Sequence, residues 1–429
     1  MLLLCSLVCL LCMDRSSLET RLYPAQAYLR LSKTKKPWVR RGWIVGEIIN
    51  RILLALALAV LIAMTFFIFF QYPAKWRAHP ALKCFLACSH GVGSISMAII
   101  FTCYADVDSS ALKWMISNCG SVYFMAVIFL FMLFGVRSLI GLVVRRLWDQ
   151  EKTNDFVSRH PLLAGRTVHT VLFLVLSFVI TVAGFFRIDE IKVREYSLSI
   201  SKPSDIRELD IIMMSDIHAG AGMWKNGYEK VEQYVCSRNP DVILIGGDLF
   251  DETTSERDMA YVHDMLSSFS PAYGTFFVYG NHDQPYQERL EEWLSELGVM
   301  TLNDKMVLIG DHIQLVGRSD SSRKDVPDLF ESEQVAPEKP IITIQHRPTE
   351  FKQLSENGCD LVMAGHTHGI SFPFCFLIAP VNDMLSGSRV YDSMLAVTSA
   401  GASAWGIHYK WPDCSDIIHV HITFTEAEQ

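Results

Sequence analysis

Several features are missing from this sequence of 429 residues, and each absence narrows what the chain does. No Asn-x-Ser/Thr glycosylation acceptor occurs, nor any internal repeat or low-complexity tract. The four cysteines after residue 200 (Cys236, Cys359, Cys375 and Cys414) have no disulfide-framework spacing, and together with the missing acceptor this leans towards a cytosolic face for that half. Lys and Arg are scarce there as well. Residues 201–429 hold 16 of them against 35 Asp and Glu, a balance of −19, whereas residues 1–200 hold 22 against 11, a balance of +11. Nucleic-acid affinity rests on phosphate neutralisation by Lys and Arg, so an acidic half of this kind excludes DNA or RNA as its partner. Half of the residues are hydrophobic and only 20% are charged, which excludes an intrinsically disordered chain.

Charge is also absent from long stretches of the basic half. Residues 52–70, 119–136 and 167–186 contain no Asp, Glu, Lys or Arg, and each approaches the roughly 20 residues that carry a helix across a bilayer. Residues 84–105 are equally free of charge but are diluted by His90, Gly91 and Gly93. Four such runs leave too little polar sequence to cover them as core helices of a soluble protein. A multi-pass transmembrane region of about four helices over residues 1–190 is the expectation, with the lipid bilayer as partner. No Asp or Glu lies inside a run, which argues against a transporter, because intramembrane charge marks most transport pathways. The first twelve residues, MLLLCSLVCLLC, are like the apolar core of a signal peptide, but no positive charge precedes them and Arg15 follows, so an uncleaved start is expected. The positive-inside count favours an inside N-terminus with either three or four spans, and these alternatives put the acidic half on opposite sides.

From about Val193 the pattern changes. Apolar runs of four to six residues, bounded by Gly, Asn, Asp and Pro, alternate with charged stretches at residues 226–238, 257–268 and 286–297. Brief continuous apolar runs read as strands buried on both faces and the charged stretches as amphipathic helices, an α/β pattern with one sizeable core over residues 200–429. Residues 319–340, acidic and containing Ser and Pro, read as a linker.

The ends of the apolar runs carry the chemistry. IIMMS is followed by Asp216 and His218, VILIGG by Asp248, FFVYG by Asn281, His282 and Asp283, IITIQ by His346, and LVMAG by His366 and His368. Five successive strands would thus each end in a candidate metal ligand, and the carboxyl ends of strands in an open α/β sheet converge on one crevice. Apart from His282 and Asp283, the set comprises two carboxylates, one amide and four imidazoles, which suits manganese, iron or zinc better than calcium. The glycines before Asp248, Asn281 and His366 read as places where the backbone turns sharply. Asp251 and Asp283 could orient ligand imidazoles or cap helices. His263, His312, His419 and His421 read as surface histidines, and Arg347 as either a phosphate contact or a surface ion pair.

In this order, SDIH, GGDLFD, GNHD, the His of QHRP and GHTHG resemble the calcineurin-like metallophosphoesterase superfamily over residues 205–425. The resemblance implies a two-sheet β-sandwich flanked by helices in place of one open sheet. It also implies two divalent metal ions: Asp216, His218 and His368 on the first, Asp248 between both, and Asn281, His346 and His366 on the second, with His282 as the catalytic imidazole. Ile370 departs from relatives that continue GHTHG with another Gly, which bears on the loop and not on the ligands.

The activity implied is hydrolysis of a phosphoester or pyrophosphate by a metal-bridged hydroxide, His282 protonating the leaving group. The expected substrates are phosphorylated small molecules or lipid-linked phosphates. Nothing in the pattern specifies an oligomeric state. The alternative is a metal-binding interaction module on a membrane scaffold without significant turnover, against which the intact ligand set argues. After GHTHG, the apolar residues 370–380 read either as a buried loop covering the sandwich, the simpler reading, or as a segment that dips into a membrane interface.

Overall fold

The computed structural model describes residues 40–100, 110–160, 165–220, 222–251, 253–284, 287–320 and 325–425. The chain divides into two compact units, Met1–Ala183 and Gly184–Gln429. Residues 1–12 and 101–105, on which two of the expectations above fall, lie outside the described residues.

In the first unit the apolar runs form helices Arg40–Gln71, Pro80–Ile100 and Ser110–Leu147, followed by Arg166–Arg187, which continues into the second unit. Among the described residues, Pro80–Ile100, Leu112–Leu147 and Arg166–Arg187 are long and apolar enough to cross a membrane, and Ala55–Gln71 is a shorter apolar helix. Helix Arg166–Arg187 sorts its faces by polarity in the sense opposite to a water-exposed helix. Thr170, Ser177 and Thr181 are buried, with the Ser177 hydroxyl donating to the Ala126 carbonyl at 3.2 Å, while Leu172, Val175 and Val179 are exposed. Small hydroxyl side chains inside and branched aliphatics outside are what lipid-facing helices require, because hydrocarbon offers polar groups no partner.

Among the described residues the second unit has twelve strands: β1 (Lys192–Ile200), β2 (Glu208–Met214), β3 (Val242–Ile245), β4 (Thr275–Phe277), β5 (Val299–Thr301), β6 (Lys305–Ile309), β7 (Ile313–Arg318), β8 (Ile341–Gln345), β9 (Leu361–Ala364), β10 (Gly387–Tyr391), β11 (Met394–Thr398) and β12 (Asp416–Phe424). They form two six-stranded mixed sheets, in the orders β1-β12-β2-β3-β4-β5 and β10-β11-β9-β8-β7-β6. The two-sheet β-sandwich that the resemblance implied is therefore the observed architecture, in place of the one open sheet suggested by the apolar runs alone. The break comes after β5, where β6 and β7 pair as a hairpin and β8 then adds in parallel to β7 instead of extending the first sheet. The ligand-bearing strands β2, β3, β4, β8 and β9 are accordingly not successive, since β5, β6 and β7 intervene.

Strand periodicity divides the core. On β8, Ile342 and Ile344 face the other sheet and join Met213, Leu244, Met363 and Val420, whereas Ile341 faces helices and packs with Val326, Leu329 and Phe351. The charged stretches form helices Lys225–Arg238, Glu256–Ser267 and Gln287–Glu296.

The described residues of 319–340 from 325 onward are not a linker. Among them, helix Val326–Ser332 buries Val326, Leu329 and Phe330, whose i, i+3, i+4 spacing outweighs the acidic composition. Leu329→Ala should lower stability by about 2–5 kcal/mol, the usual cost of emptying a core leucine site. Chemical denaturation of the variant checks this, and a linker residue would show no loss.

Candidate metal centre

Strand ends from both sheets meet at one place, and the backbone there is unusual. Of the non-glycine residues with positive φ among those described, five are Asp216 (53°), His218 (41°), Asp248 (52°), His366 (68°) and His368 (53°). L-residues avoid the left-handed region at a cost of about 1–2 kcal/mol each, and such strain clusters where function needs it. The surrounding loops hold one another in this conformation. Asp216 N–H donates to Gly247 O and His218 N–H to Asp248 O, both at 3.0 Å, while Asp283, fully buried, accepts from the backbone N–H groups of Asp248, Leu249 and Gly280 at 2.6, 3.0 and 2.9 Å. Asp283 therefore braces the turns after β3 and β4 and orients no imidazole.

Two groups of side chains result, Asp216, His218 and His368 in one and Asp248, His346 and His366 in the other, each offering ligand atoms within 4.8 Å of one another. Asp248 Oδ2 stands between them, 3.5 Å from His218 Nε2 and 3.2 Å from His346 Nε2. Asn281 Oδ1 lies 3.2 Å from His346 Nε2, so all seven residues expected from the sequence come together.

Fixed acceptors set the tautomers. A carbonyl only accepts, so His346 Nδ1, 2.8 Å from Gly246 O, carries a proton and leaves Nε2 facing Asp248. His368 Nδ1 faces Ser403 O at 3.3 Å in the same way, turning Nε2 towards Asp216 Oδ1 at 3.7 Å. His218 Nδ1 faces Asp251 Oδ2 at 3.2 Å. Two imidazoles thus hold their outer nitrogen on a carbonyl oxygen and aim the inner one at the cluster, the arrangement by which proteins fix metal-ligating histidines, while His218 sets its outer nitrogen at ion-pair distance from a carboxylate without a hydrogen bond. Two buried inner atoms, Asp216 Oδ1 and His218 Nε2, have no hydrogen-bond partner within the protein. Buried polar atoms without partners are costly, and a divalent cation satisfies both.

The electrostatics agree. Burial alone would depress His218, but the carboxylates of Asp251, Asp248 and Asp216 outweigh it and raise its pKa to about 9. Burial likewise opposes protonation of His346, which Asp248 and Asp216 push up to about 10. His366 and His368 go the other way, to about 4 and about 3, through burial and the neighbouring imidazoles. Without a cation, then, two imidazoles take up protons that balance the buried carboxylates.

Close approach explains two of the glycines. Only Gly247 among the three lies in the left-handed region, at φ +90°. A Cβ on Gly280 would stand 2.1 Å from Asp248 Oδ1, and one on Gly365 would stand 1.9 Å from Ser215 Oγ.

His282 belongs to neither group. Its backbone N–H donates to Asp248 Oδ1 at 2.8 Å, and its ring centroid lies 5.0 Å from that of His218 and 5.2 Å from that of Trp405. Trp405, exposed at the rim, and Lys410, fully buried, had no signal in the sequence. Lys410 Nζ donates to the carbonyls of Ala400 and Gly401, and burial pulls its pKa down to about 8 against the attraction of Asp416 and Asp216. Arg347 pairs with Asp320, while His312 lies beside Asp205 and His421 beside Asp210.

Against known proteins, the family model described as Calcineurin-like phosphoesterase matches residues 209–369. The chain is 28% identical over 337 residues to an uncharacterized metallophosphoesterase of Helicobacter pylori, covering 75% of this chain and 85% of that protein. It is 27% identical over 369 residues to a transmembrane protein with metallophosphoesterase domain of Danio rerio, covering 80% of each. To a metallophosphoesterase of Campylobacter jejuni it is 30% identical over 275 residues, 59% of this chain and 71% of that protein.

A titration follows from the electrostatics. The folded-state pKa values of His218 and His346 lie above the ordinary 6.5, so their protonation favours the metal-free fold fully below that pH and the advantage fades as pH rises through about 9 to 10. Cation binding competes with those protons. Loading the chelated protein at pH 8 should release about two protons per chain, and tighten as pH rises towards 9. Proton release measured by indicator dye checks it; a value near zero would show that both imidazoles are already neutral.

Proposed function

The chain belongs to the calcineurin-like metallophosphoesterases, a family of phosphoester hydrolases, and from that premise we propose a multi-pass membrane enzyme whose residues 200–429 hydrolyse phosphoester or pyrophosphate bonds with two divalent cations. The helices within residues 1–190 anchor it. The observation that carries this reading is the convergence of ligand-type nitrogen and oxygen atoms in two adjoining groups, with buried Asp216 Oδ1 and His218 Nε2 left without protein hydrogen-bond partners.

On this reading Asp216, His218 and His368 hold one cation and Asn281, His346 and His366 the other. Asp248 Oδ2 lies within 3.5 Å of histidine nitrogens of both groups, which suits a shared ligand. The mixed nitrogen and oxygen donors favour manganese, iron or zinc. When bound, such cations supply Lewis acidity, activating water as nucleophile and offsetting charge on the phosphoryl oxygens.

The remaining work falls to the chain. Gly246 O, Asp251 and Ser403 O keep the inner nitrogens of three histidines directed at the centre, so no reorganisation is needed as charge develops. His282, tethered through its N–H to Asp248, offers its imidazole as general acid to the departing oxygen.

Activity of the purified full chain, supplied with manganese and tested on phosphomonoesters, phosphodiesters and lipid pyrophosphates, tests the reading directly. Asp248→Asn should lose most of both cations by elemental analysis. One cation or none in active, chelator-free wild type would sink the two-metal assignment. His282→Ala should keep its metal and lose about 10²- to 10⁴-fold in turnover, the usual worth of general acid catalysis. That loss should shrink with nitrophenyl esters, whose leaving group needs no proton, and equal losses on nitrophenyl and alkyl esters would contradict the role.

A further inference from the structure

The GHTHG turn leads out of the metal centre straight into residues 370–382, which carry no charge. A buried cover over the sandwich was the simpler expectation for this segment, and the structure overturns it. Phe376, Leu377 and Val381 are 68, 77 and 71% exposed, Ile370 is exposed too, and Cys375 alone in the short helix Cys375–Ile378 is buried. An apolar turn has been raised out of the sandwich, where water would have to cover it.

Its supports show what covers it instead. Phe372 N–H donates to Trp411 O at 2.7 Å, Ser371 bridges to Pro412, and the rings of Phe372 and Phe376 meet edge to face at 5.7 Å. The Trp411 ring in turn lies 5.8 Å from the guanidinium of Arg187, and Lys410 N–H donates to Gly184 O at 3.0 Å. Gly184 and Arg187 form the last turn of helix Arg166–Arg187, one of the three helices long and apolar enough to cross a membrane. The exposed turn is thus fastened, within the second unit, to the residues at which a membrane-crossing helix ends. Trp and Arg at a helix end are the side chains that settle at the headgroup level. A bilayer held by covalent connection is also present at an effective concentration that no soluble partner matches.

We propose that residues 370–381 dock on the surface of the bilayer that the chain's own helices cross, and that the metal centre acts on phosphate carried by lipid headgroups. The substrate half rests on the hydrolase reading above; the docking half does not. Ile370 stands two residues beyond His368, so insertion of Phe376 and Leu377 brings the mouth of the centre to the headgroup layer. Trp405, exposed beside His282, is placed to lie against the lipid being cleaved.

Two measurements on the full chain in phosphatidylcholine vesicles decide the two halves. In the first, Leu377→Trp is compared with wild type for quenching by bromine-labelled acyl chains and by aqueous acrylamide. Extra emission that is quenched by bromine and sheltered from acrylamide is expected. Emission quenched by acrylamide alone means a water-facing turn, and shelter from both means a protein partner; either overturns docking, whether or not the enzyme is active. In the second, Phe376→Ser combined with Leu377→Ser is assayed on phosphatidic acid or an isoprenyl pyrophosphate in the vesicles and on soluble nitrophenyl phosphates. The rate on lipid should fall at least roughly tenfold while the soluble rate holds and the melting temperature moves little, because both side chains are mostly exposed and Phe376 meets the fold at the edge of the Phe372 ring. An unchanged ratio of the two rates overturns the lipid substrate. A wild type inactive on every substrate removes the hydrolase reading and with it the substrate half, and leaves the quenching result to stand for docking.

Discussion

The carboxylate of Asp216 joins the two sheets at the candidate metal centre, and the rest of the site is arranged around it. Asp216 lies beyond the end of β2 in the first sheet, and its Oδ2 accepts from the backbone N–H of His366, beyond the end of β9 in the second, at 3.0 Å. Ser215 Oγ reaches the same oxygen at 2.6 Å. The other oxygen, Oδ1, is buried without a protein partner and faces His368. A buried carboxylate costs several kcal/mol unless opposite charge and hydrogen bonds offset it. Here one oxygen links the two sheets at the site and the other is left without a protein partner, free to bind a cation.

That division of labour explains why the backbone is strained where it is. For strand ends from separate sheets to aim side chains at a common point, the chain must leave each strand abruptly, and five ligand-type residues do so in the left-handed region. The two cores on either side of β8 hold this geometry, together with the braces supplied by Asp283 and Lys410. Lys410 acts at a crowded point. It donates to the carbonyl of Gly401, where a Cβ would stand 2.9 Å from the Cβ of Asp216, and its own N–H donates to the carbonyl of Gly184 in the last turn of helix Arg166–Arg187, which is long and apolar enough to cross a membrane. Within the second unit, the path from Gly184 to the candidate metal centre is therefore only a few residues long, and it also carries the exposed apolar turn.

Much was legible in the sequence, for identifiable reasons. Burial on both faces leaves a continuous apolar run, so β2, β3, β8 and β9 are read directly, and the polar residues beyond the strand ends include the seven ligand-type residues, which only the family resemblance separates from His282 and Asp283. Bilayer thickness sets the length of a spanning helix, which made residues 119–136 and 167–186 visible in the same way. Misreadings came where composition and packing part company. Residues 319–340 are acidic yet contain a helix whose three buried side chains occupy one face, and residues 370–380 are apolar yet exposed.

What the sequence determined by itself was the inventory: apolar runs of spanning length, strands, and the donor atoms that end them, since these depend on local pattern alone. The tertiary structure decided how that inventory is used. The second sheet arises because β8 pairs with β7 and not with β5; the tautomers are fixed by Gly246 and Ser403, which are remote in sequence from His346 and His368; and Gly280 and Gly365 are required by neighbours that meet them only on folding. Each of these rests on contacts between segments tens to hundreds of residues apart, and no local pattern of residues encodes a contact of that kind.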